Sequence, residues 1–283
     1  MNILVTGSNG QLGNELRLLA PENAQHNFLF TDIEELDITN KTAVFDFVSL
    51  NKVEMIINCA AYTAVDRAES DEDVARLINA LAVLNLGEAA SETGAKIVHM
   101  STDYVFNGKS YLPYKETDMP EPASAYGRTK LEGEQLLSEA CPDAVIIRTA
   151  WLYSEFGNNF VKTMLRLGKE RDSLNVVYDQ IGSPTFAGDL AQTIMTIVNA
   201  DKWVGGIYHF TNEGICSWYD FTCAIHQLAG IQCDVRPIRS EQYPTPTERP
   251  HYSVLDKEKI KATYGVSVPH WYDALQRCII RLL

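Results

Sequence analysis

The first thirteen residues read Met1-Asn2-Ile3-Leu4-Val5-Thr6-Gly7-Ser8-Asn9-Gly10-Gln11-Leu12-Gly13. A β-rich apolar run, Met1–Thr6, stops at Gly7, and helical periodicity begins near Gln11, so the stretch is strand, tight turn, helix. A residue without Cβ turns sharply and lets backbone N–H groups and the helix N-terminus approach a pyrophosphate, while the last glycine allows close helix–strand packing. Such a turn with no ligand is equally common when G-x-x-G-x-x-G stands alone. What favours a dinucleotide at Gly7, Gly10 and Gly13 is position, because this is the first βα turn of an alternating chain.

That alternation continues outward. Short β-rich runs recur at Phe28–Thr31, Met55–Ala60, Lys96–Ser101 and Val145–Ala150, with helical periodicity over Gln11–Ala20, Lys41–Asn51, Asp71–Thr93 and Ser124–Ala140. Parallel strands need crossovers of this length, so an α/β fold of Rossmann type, a doubly wound parallel sheet, is expected over residues 1–150. Beyond it, helices are expected near Asn158–Gly168 and Ser217–Leu228, and strands near Leu174–Tyr178 and Gly206–Phe210 that return to the sheet edge. A Pro-rich piece (Pro237, Pro244, Pro246, Pro250) and the helix Trp271–Leu282 complete a smaller, discontinuous substrate-binding lobe within 151–283.

Composition narrows the function. Of 283 residues 46% are hydrophobic and 22% charged, enough for a full core without disulfide or metal staples. Lys and Arg total 24 against 37 Asp and Glu, a net charge of −13, which repels phosphate backbones and anionic lipid heads. Neither nucleic acid nor a membrane surface is an expected partner. The six cysteines form no C-x-x-C pair, and the N-terminus shows no basic and long apolar leader. The expected location is cytoplasmic, with reduced thiols.

Asp32 ends the second strand 19 residues after Gly13, where a carboxylate can accept from the adenosine ribose hydroxyls. That favours NADH, although Arg17 is within reach of a 2′-phosphate. Ala60 and Ala61, at the end of the third strand, leave space beside an adenine and ribose. Tyr126-Gly127-Arg128-Thr129-Lys130 places a phenol and an ammonium four residues apart on one helix face, and His99-Met100-Ser101-Thr102-Asp103-Tyr104 puts hydroxyls at the carboxyl edge of the fourth strand. Reduction of a carbonyl develops an alkoxide that must be protonated. A phenol serves if its anion is stabilised, and Lys130 is expected to lower the Tyr126 pKa while Thr102 orients the carbonyl oxygen. Asp103 is either a sugar-hydroxyl ligand or a turn-forming carboxylate.

These motifs, together with Asn58–Thr63, Ser101–Phe106, Arg148-Thr149-Ala150-Trp151, Gly157–Val161 and Asp179–Thr185, resemble the extended short-chain dehydrogenase/reductases, and within them the dTDP-4-dehydrorhamnose reductase family, over nearly the whole chain. The resemblance implies NADPH- or NADH-dependent reduction of the C4 ketone of a dTDP-4-keto-6-deoxysugar, dTDP-4-dehydro-β-L-rhamnose, to dTDP-L-rhamnose for surface polysaccharide. It implies Thr102, Tyr126 and Lys130 as the catalytic set. Gly10, Gln11, Leu12, Asp32, Asp37, Ile38, Ala61 and Thr63 would contact the dinucleotide, and Thr102, Asp103 and Trp151 the sugar. A flat indole after the fifth strand can pack on a deoxysugar face, and Asn158, Asn159 and Arg249 suit the nucleotide base and diphosphate.

Some bacterial members of the family are dimers bridged by magnesium held by glutamates. Glu15 matches one ligand position, but the region of a second reads Ala187-Gly188-Asp189, so no metal is expected. The chain is expected to be a monomer or homodimer. His26, His99, His209, His226, His251 and His270 show no metal spacing, and structural roles are expected for them. An epimerase or dehydratase of the same superfamily would share the glycine loop and the Tyr126/Lys130 pair. A non-catalytic subunit resembling the β-subunit of methionine adenosyltransferase would share the fold.

Overall fold

The computed structural model describes residues 1–283. In chain order the elements are β1 (Asn2–Thr6), α1 (Gln11–Leu19), β2 (Asn27–Phe30), α2 (Lys41–Leu50), β3 (Met55–Asn58), α3 (Val65–Ala68), α4 (Glu72–Arg76) and, after a π-helical stretch Leu77–Leu81, α5 (Ala82–Thr93). There follow β4 (Lys96–Thr102), α6 (Ala125–Ala140), β5 (Val145–Thr149), β6 (Leu152–Tyr153), α7 (Phe160–Glu170), β7 (Ser173–Val177), β8 (Ile181–Gly182), β9 (Thr185–Phe186) and α8 (Ala187–Val198). The chain ends with β10 (Gly206–His209), β11 (Cys216–Ser217), α9 (Trp218–Ala229), β12 (Asp234–Ile238), α10 (Glu258–Tyr264) and α11 (Trp271–Leu282).

Six strands form a parallel sheet in the order β10-β5-β4-β3-β1-β2. Its central strands carry apolar side chains on both faces because helices cover both. Ile3, Val5, Ile57, Val98 and Ile147 pack toward Leu12 and Leu16 of α1 and Leu190 and Ile194 of α8. Leu4, Ile56, Ile97 and Ile146 face the other way, toward Val44, Val48, Leu86 and Leu137 of α2, α5 and α6. Side-chain caps start the helices where polar residues end loops: Asn40 accepts from Ala43 N, Ser124 from Gly127 N and Asn159 from Lys162 N. No helix is long and apolar enough to cross a membrane.

A second core, built on Tyr153, Val161, Phe221, Ile225, Trp271 and Leu275, lies under α7, α9 and α11. One expected strand partner is corrected here. The segment 174–178 does not return to the sheet edge: β7 pairs in parallel with β12, and β10 alone occupies the edge beside β5. Period-2 patterning identifies a strand without naming its partner. Pro237 lies in β12, whose backbone lacks a donor there, which suits a two-stranded ribbon at the lobe's margin.

The region 71–93, expected as one helix, is interrupted by the π-helical turn. Close packing accompanies it: a Cβ at Gly133 of α6 would lie 2.0 Å from the Asn79 carbonyl oxygen. The Asn79 amide in turn holds Tyr62, accepting from its N–H at 2.9 Å and donating to its carbonyl at 3.1 Å.

Candidate active site

The carboxyl ends of β1 to β5 open into one crevice of about 990 Å³, where ligands of open α/β sheets bind. Its walls include Gly7, Gly10, Gln11, Leu12, Asp32, Asp37, Ile38, Ala60, Ala61, Thr63, Thr102, Asp103, Tyr126, Lys130, Trp151 and Asn159. Of the expected site residues, Gly13 and Arg249 lie outside that wall.

Gly7 has φ +63°, and a Cβ there would lie 2.6 Å from Ala60 N and Cα, so only glycine lets the loop close on β3. A Cβ at Gly13 would lie 2.5 Å from Ser8 Cα, which is the close packing expected of the last glycine. Gly10 caps α1 without any side chain on the first N–H groups. Those N–H groups and the helix dipole face the crevice, a cradle suited to a pyrophosphate. The Asp32 carboxylate accepts from Asn9 N at 3.0 Å and from Ile33 N at 2.9 Å, fixing it at the loop. Arg17 donates to Ser8 Oγ at 3.1 Å, which brings the one nearby cation to the same turn. Asp37 accepts from Thr39 N and Oγ1.

Tyr126 and Lys130 lie on the first turns of α6. Gly127 between them is required sterically, since a Cβ would meet the Tyr104 carbonyl oxygen at 2.2 Å. Burial of the Tyr126 hydroxyl raises its pKa above the ordinary phenol value, against the lowering effect of its hydrogen bond with Thr102; the charges of Asp103 and Tyr104 raise it further. The net direction is upward, so burial outweighs any lowering expected from Lys130. Lys130 is itself buried, and its Nζ donates to Met100 O at 2.6 Å. Burial lowers the ammonium to about 8, with Glu134 opposing.

Thr102 Oγ1 donates to Asp103 Oδ1 at 3.1 Å and accepts from Tyr104 N at 3.2 Å, so the hydroxyl is oriented from both sides. Asp103 starts a short 3₁₀ turn and is 4% exposed; burial pushes its carboxyl up to about 7, and Oδ2 has no partner. An unpaired buried acceptor suits a ligand hydroxyl.

A second crevice of about 880 Å³ adjoins the first and shares Asp103, Tyr104 and Trp151 with it. Three of the expected ligand residues are already engaged by the protein at this boundary. One face of the Trp151 ring stacks on Trp218 with centroids 3.5 Å apart, and its backbone is held at φ +51°. Asn159 sits in the first crevice, where its amide donates to Gln11 Oε1 at 2.9 Å and to Ser154 O at 2.8 Å and its oxygen caps α7; a nucleotide base would have to displace these bonds. Arg249 does line the second crevice, but its guanidinium already grips Asp66 Oδ2 at 2.6 Å and Tyr104 Oη at 3.3 Å.

The whole chain, residues 1–283, matches the family model described as RmlD substrate binding domain. The chain belongs to this family. A dTDP-4-dehydrorhamnose reductase of Aggregatibacter actinomycetemcomitans is 46% identical over 97% of each chain, and that of Escherichia coli K12 is 41% identical over 100% of this chain and 98% of the relative. A crystal structure of a dTDP-4-dehydrorhamnose reductase from Clostridium acetobutylicum superposes with a TM-score of 0.96 at 46% identity, covering 100% of this chain and 99% of the other. Another, from Bacillus anthracis in complex with NADP, gives 0.95 at 40% identity over 99% of each chain. A UDP-glucose 4-epimerase of Thermus thermophilus shares the fold at 19% identity, with a TM-score of 0.85.

The family's glutamate-bridged magnesium does not fit here. Arg281 lies between Glu15 Oε2 (3.2 Å) and Glu155 Oε1 (3.1 Å), while Asp189 is held by Arg277 at 2.7 Å. Mg²⁺ requires near-octahedral oxygen ligation, and these arginines occupy carboxylates that would have to supply it.

Several residues of the site escaped the sequence reading. Trp218 and Asp66 carry no local motif, and Tyr104, though inside the Ser101–Phe106 motif, was given no role of its own. Glu134 had a signal: Tyr126, Lys130 and Glu134 recur every four residues on one face of α6.

Proposed function

We propose that this chain is the NADPH- or NADH-dependent reductase that converts the C4 ketone of dTDP-4-dehydro-β-L-rhamnose to dTDP-L-rhamnose, with Tyr126 as proton donor. The observation that carries the reading is the convergence of Thr102, Tyr126 and Lys130 on the crevice that the glycine loop opens. Full-length similarity to relatives named for this reaction supports the substrate, and the NADP in a similar structure supports the cofactor.

The residues fit a dinucleotide: the side-chain-free start of α1 would hold the pyrophosphate, Asp32 or Arg17 the adenosine ribose end, and Ala60, Ala61 and Thr63 the wall beside it. When bound, the reduced nicotinamide supplies the hydride. The chain's own residues do the rest. Thr102, whose oxygen is held by the Tyr104 N–H, turns its one proton from Asp103 to the ketone oxygen and hydrogen-bonds the charge that grows on it. A phenol held above its ordinary pKa is fully protonated at neutral pH, which suits it as acid toward an alkoxide. The nearby Lys130 ammonium stabilises the phenolate left behind. Arg249 and the second crevice take the nucleoside diphosphate, Arg249 exchanging Asp66 for phosphate oxygens.

The test is turnover with dTDP- and UDP-linked 4-keto-6-deoxysugars, following nicotinamide absorbance and sugar product together. Stoichiometric oxidation with the dTDP substrate supports the reading. Isomerisation without net oxidation assigns the chain to the epimerases, and binding without turnover assigns it to the non-catalytic subunits.

A further inference from the structure

Beneath Lys130 runs a buried chain of polar groups whose proton positions are fixed by the backbone. Ala60 N can only donate, and it donates to Asn58 Oδ1 at 3.1 Å; Thr6 Oγ1 donates to the same oxygen at 2.7 Å. This orients the Asn58 amide, so the group that meets His99 Nδ1 at 2.9 Å is the Nδ2 donor. His99 Nδ1 is therefore the acceptor, and in a neutral ring the proton sits on Nε2. His99 is fully buried, and burial together with the Lys130 charge holds its pKa well below the ordinary value, so the ring is neutral. His99 Nε2 lies 3.5 Å from Lys130 Nζ. An N–H dipole thus points at an ammonium that has one short acceptor, Met100 O.

We propose that His99 is a positioning residue for the reaction: locked as its Nε2–H tautomer by Thr6, Asn58 and Ala60, it faces Lys130 with a donor and makes the neutral amine of that lysine accessible. This deepens the reductase reading given above and rests on it. An ammonium has no lone pair to accept the His99 N–H, whereas the amine has one. The arrangement therefore favours release of the Lys130 proton, in the same direction as burial. Glu134, one turn further along α6, pulls the other way, and its charge is shared with Arg148 of β5. Asp103 and Tyr126 line the same crevice on the open side of the lysine. Lys130 is thus set between a carboxylate that keeps it charged and an imidazole that favours its deprotonation, so His99 sets the pH at which the ammonium, and with it the charge that stabilises a Tyr126 phenolate, is lost.

Two measurements test the proposal. In the wild-type chain, ¹⁵N NMR of labelled histidine should show His99 with a bare Nδ1 and a protonated Nε2, and no titration through the ordinary imidazole range. An Nδ1–H tautomer, or protonation in that range, overturns the assignment. The second is the pH dependence of kcat for the wild type and His99→Asn, whose side-chain oxygen can still accept from Asn58 but which leaves no N–H toward Lys130. The alkaline limb should move to higher pH by roughly half to one unit, the scale of one hydrogen bond. An unmoved or acid-shifted limb refutes the role. If the wild type does not turn over at all, the reductase reading fails, and the NMR tautomer still decides the fate of the lock.

Discussion

Glu134 and Arg148 form an ion pair with side chains 2% and 1% exposed, and replacing Glu134 by leucine probes it most sharply. Arg148 donates from Nε to Oε1 at 2.9 Å and from Nη2 to Oε2 at 2.6 Å, and Ser101 Oγ also donates to Oε1. The guanidinium lies 5.0 Å over the Phe106 ring, and its Nη1 has no partner, so nothing else nearby can neutralise it. Removing the carboxylate leaves a buried cation uncompensated, at a cost of about 3–5 kcal/mol. In a chain of this size that lowers Tm by roughly 6–20 °C. Replacing both residues by apolar side chains, Glu134→Leu with Arg148→Met, removes the stranded charge and should recover most of the loss. Urea unfolding followed by circular dichroism on the wild type, both single variants and the double variant gives the coupling directly. A cost below about 1 kcal/mol for Glu134→Leu, or additivity in the cycle, would refute the claim that this pair ties α6 to β4 and β5.

Tyr126→Phe should lower kcat by about 10²- to 10⁴-fold while circular dichroism and NADPH binding stay unchanged, and full turnover would remove the phenol from the mechanism. Arg249→Gln should raise KM for the dTDP-sugar by on the order of 10- to 100-fold with KM for NADPH unmoved, the loss of a charged hydrogen bond to phosphate; equal effects on both KM values would place Arg249 elsewhere. Burial raises the Glu15 carboxyl to about 8 from an unfolded value near 4.5. The folded protein therefore binds a proton that the unfolded chain has released, and this contribution to stability is lost as pH rises from about 5 to 8. Glu15→Gln should flatten that part of the Tm-versus-pH curve, and an identical slope in both proteins would show that Glu15 is not its source.

What could be read from the residues alone was local. The loop residues Gly7 and Gly10 and the pair Tyr126/Lys130 are defined by spacing along one turn or one helix face, so their placement in the crevice follows from chain geometry. Trp151 was legible as a crevice residue, but its stacking partner Trp218 opens α9, and no spacing rule links them. Arg249 was expected as an anion ligand, and the carboxylate that holds it here, Asp66 of α3, carried no signal linking the two. The same limit misplaced the strand 174–178, whose partner β12 follows much later in the chain. His99 read as an ordinary core histidine because its importance rests on which nitrogen carries the proton, a property set by Asn58 and Ala60 across two strands.

The most direct measurement uses NADPH deuterated at the transferable position of the nicotinamide, with dTDP-4-dehydro-β-L-rhamnose as substrate and NMR of the product. The account predicts one deuterium at sugar C4 for each NADPH oxidised. Product without the label, or epimerised sugar with no net oxidation, would contradict it.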